Sequence, residues 1–322
     1  QRIEECQISG RHGAGKKIYF GMTYIGEIAA LGTALSWTLA ALFMENAVSR
    51  VGVLPVNTLK VAFGTLYLAL VSFALTGHFL PQGVAASSWL FLGASGFVGF
   101  VIGDYFLLNA YVYIGSATAM LLMSLSVPLT AAAAFLLYGE RLGPWSLAGM
   151  ALCVSGISVT IAGGRARNAP QNESSAERRF YVKGVAFGVL SAVSMATGTL
   201  LTKAGAAGVD SVAATQIRIG SAFAGFFLVA AFSRKLCDVR AAILDRKALG
   251  IISLGAVFGP FIGVGLLLFA IQHAGAGIVS TLSSLSPVFL LPPTAFILKR
   301  KVTAPQAGGA VLAMLGLALI FR

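Results

Sequence analysis

Apolar residues come in long unbroken runs separated by short polar breaks, and that alternation lays out the chain. Runs fall at Tyr24–Met44, Leu54–Thr76, Ser88–Tyr111, Ser116–Tyr138 and Pro144–Gly163. A polar stretch from Gly164 to Tyr181 follows, containing Pro170, Asn172, Glu173, Ser174 and Ser175. Five further runs come after it: Val182–Lys203, Ser211–Phe232, Ala248–Ile271, Ala276–Leu298 and Ala304–Phe321. At ~1.5 Å rise per residue, a run the length of Ser116–Tyr138 crosses a hydrocarbon core of ~30 Å. The pattern predicts an all-α integral membrane protein with ten transmembrane helices.

The runs also repeat. Gly115, Ser124-Leu125-Ser126, Gly149, Leu152 and Gly156 recur 160 residues later as Gly275, Ser284-Leu285-Ser286, Gly309, Leu312 and Gly316. An odd number of helices per copy makes the second copy enter from the opposite face. The two halves are therefore expected to be inverted five-helix repeats, an arrangement that puts a substrate site near the midplane. The expected organisation is a polar leader over 1–21, a first repeat over 22–163, a linker over 164–182 and a second repeat over 183–322. The leader has no apolar core of a signal peptide. Met22, directly before the first run, reads as the native start, with 1–21 as upstream sequence or a disordered tail.

Composition agrees with the pattern. Hydrophobic residues make up 57% and charged residues 11%, where soluble domains carry about 25% charged residues. The formal charge of +12 does not point to nucleic acid, because the basic residues lie in short loops where they set orientation. Loops after the odd-numbered runs hold fourteen Lys and Arg, from Arg50 through Arg165, Arg178, Arg234 and Arg246 to Lys301. The opposite side holds Arg141, Lys203 and Arg322, so both termini are expected outside and the central linker in the cytoplasm. The three Cys and three His have no metal-site or disulfide spacing, and no cofactor motif occurs.

Polar groups inside the runs are the candidates for chemistry. A charge at membrane depth costs at least ~2.5 kcal/mol on insertion scales, which singles out Lys60, Asp104 and Arg218. Lys60 lies ~7 Å and Asp104 ~6 Å from the centres of their runs, on the same side, so the two are expected to pair. The pair is either a static brace or a switch in which Asp104 takes a proton when Lys60 moves or binds substrate. Arg218, in the second half, stands where Lys60 stands in the first, while the counterpart of Asp104 is Val264. Arg218 is expected on the external side, matched by Glu27 or by a substrate anion, with Gln216, Ser284 and Ser286 assisting. Glu27 and Glu45 lie near the ends of their run and are expected to snorkel to the interface, and Asn109 adds neutral polarity. Ser124, Ser126, Ser284 and Ser286 flank Pro128 and Pro287, and read either as stabilisers of the kinks or as a ligand-facing wall. Trp37, Tyr105 and Tyr111 read either as cavity lining or as packing. The glycines spaced by four, Gly255, Gly259 and Gly263, make a smooth face for tight packing or sliding.

Ser126-Val127-Pro128-Leu129-Thr130-Ala131, Tyr138-Gly139-Glu140-Arg141-Leu142, Ala213-Ala214-Thr215-Gln216-Ile217-Arg218 and Ser286-Pro287-Val288, with Trp37 and Gly103-Asp104, resemble the EamA-type module of the drug/metabolite transporter superfamily. The resemblance runs from about Thr23 to Phe321. It implies a secondary transporter with a central cavity and two modules, and it does not imply a substrate. Two departures stand out: the charges place the termini outside, and Lys299-Arg300-Lys301 replaces the acidic hinge Gly139-Glu140-Arg141 in the second copy. The expected activity is secondary export of a small metabolite, such as an amino acid or organic anion, by alternating access without a cofactor. The alternative is proton-coupled export of cationic drugs. An intramembrane enzyme would need a clustered nucleophile and base at depth, and a passive channel would not need inverted repeats. The expected partners are the bilayer and a small-molecule substrate, with protons as a candidate co-substrate, a homodimer as a candidate assembly, and no nucleic acid.

Overall fold

The computed structural model describes residues 24–138, 143–168, 175–274, 276–296 and 303–320. The leader, residues 139–142 of the first hinge, Gly275 and Lys299–Lys301 lie outside them. Among the described residues every regular element is helical. In chain order these are α1 (Ile25–Val51), α2 (Val53–Thr76), α3 (Ala86–Ile114) and α4 (Ser116–Met123 with Ser126–Tyr138). Next come α5 (Pro144–Asn168), α6 (Ser175–Gly205) and α7 (Ser211–Phe232). After a short helix, Leu236–Leu244, come α8 (Arg246–Ala256, Val257–Gly263 and Val264–His273) and α9 (Ala276–Ser283, Ser286–Phe289 and Leu291–Phe296). The last is α10 (Ala304–Ile320).

Eight of these, α1 to α8, are long and apolar enough to cross a membrane. α9 is broken into pieces and α10 has 17 residues. Several helices outrun their apolar runs. α1 continues past Met44 to Val51, because no breaker intervenes before Gly52, which takes φ 87° and donates its N–H to the Val48 carbonyl at 2.9 Å. Gly115, at φ 79°, joins α3 to α4 in the same one-residue way. Side chains of Asp210 and Asp245 accept the first free N–H groups of α7 and α8, the usual stabilisation of a helix start.

Helix pairs follow one rule. α1 packs on α8 and α9, and α6 packs on α3 and α4; α2 packs on α7, and α5 on α10; α2 also meets α8, and α7 meets α3. Adding five to each label maps this set onto itself. The repeated glycines make the α5–α10 crossing. A Cβ on Gly156 would lie 2.6 Å from the Gly309 carbonyl, and one on Gly309 would lie 2.5 Å from the Gly156 carbonyl. The glycine face of α8 rests on α1, with Gly255 against Met44, Gly259 against Ala40 and Gly263 against Trp37.

Both α3 and α8 widen into a π-helical turn at the same place, Phe97–Ile102 and Val257–Gly263. Both α4 and α9 break at a Ser-Leu step, 124–125 and 284–285. Proline explains the breaks. Pro128 cannot serve the Ser124 carbonyl, which instead accepts from Val127 N at 3.2 Å. Pro287 cannot serve the Ser283 carbonyl, which accepts from the Ser286 hydroxyl at 3.0 Å.

Candidate functional site

Three charged side chains converge on α3. Lys60 stands on α2, which packs beside α3, and its Nζ donates to Asp104 Oδ2 at 2.5 Å. The two side chains are only 15% and 12% exposed, so the pair is shielded from water and its field is strong. Asn57, one turn before Lys60, donates from Nδ2 toward the Asp104 carbonyl at 3.4 Å, while its own Oδ1 is buried without a partner.

Arg218 reaches the same helix from the second half of the chain. Gly96 lets α7 come against α3: a Cβ there would collide with the Arg218 carbonyl and the Ser221 hydroxyl. From that crossing the side chain runs along the π turn of α3. Its Nη2 lies 3.8 Å from where a Cβ on Gly99 would stand, and its Cζ lies 4.8 Å from the Phe100 ring centroid. A guanidinium over an aromatic face is attracted by the ring quadrupole. Asp104 also attracts it through space. Its Nε is buried without an acceptor.

The site therefore holds two cations and one carboxylate, and the carboxylate is engaged by Lys60. Arg218 does not meet Glu27, whose Oε2 is buried without a hydrogen-bond partner. Glu45 does not snorkel: it is buried and accepts the Ser116 N–H at 3.2 Å, at the start of α4. The reason is the length of α1, which carries Glu45 past its apolar run to the end of α3. Buried Tyr111 lies in the fields of both Asp104 and Glu45.

The remaining candidates are dispersed. Gln216 Nε2 donates to the Phe79 carbonyl after α2. Trp37 packs on Gly263 in the π turn of α8. Tyr105 is 40% exposed with its ring edge against Phe106, and Asn109 donates back to the Tyr105 carbonyl at 2.7 Å. The Ser124 hydroxyl donates to the Met120 carbonyl, and Ser284 sits in the break of α9. The Ser126 carbonyl accepts from Thr130, while the Ser286 carbonyl accepts from Thr38. Phe100 and Gly99, which seat Arg218, carry no sequence signal of that role. Gly99 is one of four regularly placed glycines on its helix, which marks a packing face and not a partner.

At the end of the bundle where α1 finishes, Arg50 Nε donates to Asp245 Oδ2 at 2.5 Å and Nη2 to Oδ1 at 3.1 Å. That guanidinium, with the first N–H groups of α8, holds Asp245 below the usual carboxylate range.

Comparison with curated proteins gives no match. One solved structure, described as a crystal structure of a protein, matches with a TM-score of 0.60 at 20% identity, covering 91% of this chain and 94% of its own. At that identity it shares the fold. The EamA-like transporter family matches residues 24–162 and again 182–322. With two copies of the module over nearly the whole length and apolar helices throughout, the chain belongs to the EamA-like transporter family, as a multi-pass transmembrane transporter of the drug/metabolite superfamily.

Proposed function

We propose that the protein is a secondary active transporter that exports a small metabolite bearing a carboxylate or similar anion, by alternating access. The observation that carries this is the excess of one positive charge at the α2–α3–α7 meeting point, where Arg218 has a buried Nε without an acceptor. A guanidinium keeps its proton in any protein setting and offers a planar fork that fits a carboxylate. An incoming anion supplies the charge that Glu27 does not. Lys60 neutralises Asp104 and so keeps the acid from repelling that anion.

Ten membrane helices in two inverted halves suit this activity. Support comes from the helix pairing that survives adding five to every label, with broken α9 standing where α4 stands and α10 where α5 stands. The fourteen basic residues on one side support a cytoplasmic linker, external termini and residence in the plasma (inner) membrane. A reporter fused after Arg322 is expected to be external.

The test is counterflow in proteoliposomes with amino acids and organic anions. A carrier shows stimulation by substrate on the far side, and a channel does not. Arg218→Lys should weaken transport by losing the two-pronged contact, and Arg218→Gln should nearly abolish it while the protein still reaches the membrane. Undiminished transport of a cationic compound by Arg218→Gln would reject the anion reading and favour proton-coupled cation export built on Asp104.

A further inference from the structure

Away from the charged site, a shallow cleft of about 480 Å³ opens beside the first turns of α6, lined by Arg178, Arg179, Val182 and Lys183. The geometry points to a binding site for the headgroup of an anionic phospholipid in this cleft. Three features carry the assignment.

The first is charge. Three cations and one acid, Glu177, fall within seven residues of one helix. The stretch keeps a net excess of two positive charges.

The second is place. Gly184 of α6 lies against Tyr113 and Ile114 at the end of α3, next to the Glu45–Ser116 contact. The cleft is therefore at the end of the bundle where α1 and α3 finish, which is also the end with the basic loops. α6 has 31 residues, or ~46 Å of helix at 1.5 Å per residue, more than a ~30 Å hydrocarbon core needs. Its first turns reach into the headgroup layer.

The third is the mixture of surfaces. Phe180 is 49% exposed and Val182 54% exposed, interleaved with the cations. A phosphate dissolved in water has no use for such apolar neighbours, whereas a lipid sets its phosphate on the cations and its acyl chain along Val182, the apolar residue of the cleft lining. The turn is also held in place. The Tyr181 hydroxyl donates to the Ile161 carbonyl of α5 at 2.8 Å, and the Phe180 ring lies 4.4 Å from that of Tyr113.

The experiment uses the full chain, purified in a neutral detergent and followed by native mass spectrometry and by thermal unfolding. The probes are phosphatidylglycerol, phosphatidylcholine and inorganic phosphate at matched concentration. Phosphatidylglycerol should remain bound and raise the melting temperature, and the other two should not. A surface cation contributes roughly fivefold in affinity for an anionic lipid, so Arg178→Gln/Arg179→Gln/Lys183→Gln should lose about a hundredfold. The charge-preserving Arg178→Lys/Arg179→Lys should keep most of the binding, which separates lost charge from lost fold. Equal binding of phosphatidylcholine, or full phosphatidylglycerol binding by the triple Gln variant, would overturn the site. An equal shift from inorganic phosphate would overturn its assignment to lipid. Neither readout depends on transport, so the result stands apart from the fate of the anion reading at Arg218.

Discussion

Lys60 and Asp104 could be matched from the sequence because each lies a countable distance along its own helix, and depth adds up along a rigid rod. Direction does not add up in the same way. Depth alone points Arg218 toward Glu27 or a substrate anion, but its side chain runs along α3 from Gly96 to Phe100. Which neighbour α7 meets is set by how the halves interleave, and no local pattern records that. The pairing can be measured. Asp104→Asn leaves a shielded ammonium without its counter-charge, and Lys60→Ala leaves a shielded carboxylate. Each should cost about 3–5 kcal/mol, and the double variant should recover part of the loss. Thermal unfolding of the four proteins reads this directly, and full additivity would mean the contact is energetically silent. Phe100→Leu should leave Lys60–Asp104 intact and remove the aromatic seat of Arg218, weakening substrate affinity more than stability.

At the scale of elements, the repeated glycines were readable and their partners were not. Gly149, Gly156, Gly309 and Gly316 recur because the two copies of that helix pack on each other, backbone to backbone. Sequence displays the period but not the contact. Neighbouring positions on α10 give a controlled comparison. Gly309→Ala puts a methyl 2.5 Å from the Gly156 carbonyl, whereas at Gly308 the space within 4 Å is open. Gly309→Ala should lower the melting temperature markedly by forcing the helices apart. Gly308→Ala should be neutral or gain up to ~1 kcal/mol from better helix propensity. Equal behaviour of the two in a thermal assay would mean that α5 and α10 do not cross there. The π turns of α3 and α8 were invisible to apolar periodicity, since one wide turn leaves a run unbroken. The short helix Leu236–Leu244 hid within a basic loop for the opposite reason, being too polar to register as a run. At the start of α8 the acid is again a cap: the Arg50 contact depresses Asp245, so its contribution is complete above the ordinary carboxylate pKa. It fades as pH falls through the lowered folded value.

For the whole molecule, the two halves match in packing and differ in charge. Gly255 lies on Met44 as Ser95 bonds Thr202, and Gly259 lies on Ala40 as Gly99 lies on Gly198. That common spacing puts Lys203 where the first half has Glu45, and Val264 where it has Asp104. Glu45 meets the N–H of Ser116 at the head of α4, where a helix carries partial positive charge and a carboxylate is favoured. Together with Lys60–Asp104 it ties α1 and α2 to α3 and α4 at one end of the bundle, while the other end carries a cation at the equivalent place. The sequence held both acids, but their shared task emerges only when α1 is seen to run on to α4. If these contacts close that end during the transport cycle, Glu45→Gln should loosen it without unfolding the protein. A single cysteine at Ala117 reports this, in a background where Cys6 and Cys237 become Ser and Cys153 becomes Ala. A hydrogen bond to a charged group contributes about 1.5–3 kcal/mol, so labelling by a membrane-impermeant thiol reagent from the α1–α4 end should rise about tenfold or more. Lys203→Glu should leave that rate unchanged, because it acts at the opposite end. An unaltered rate in Glu45→Gln, with the protein still folded, would make Glu45 a fixed cap on α4 and leave Lys60–Asp104 as the tie across that end.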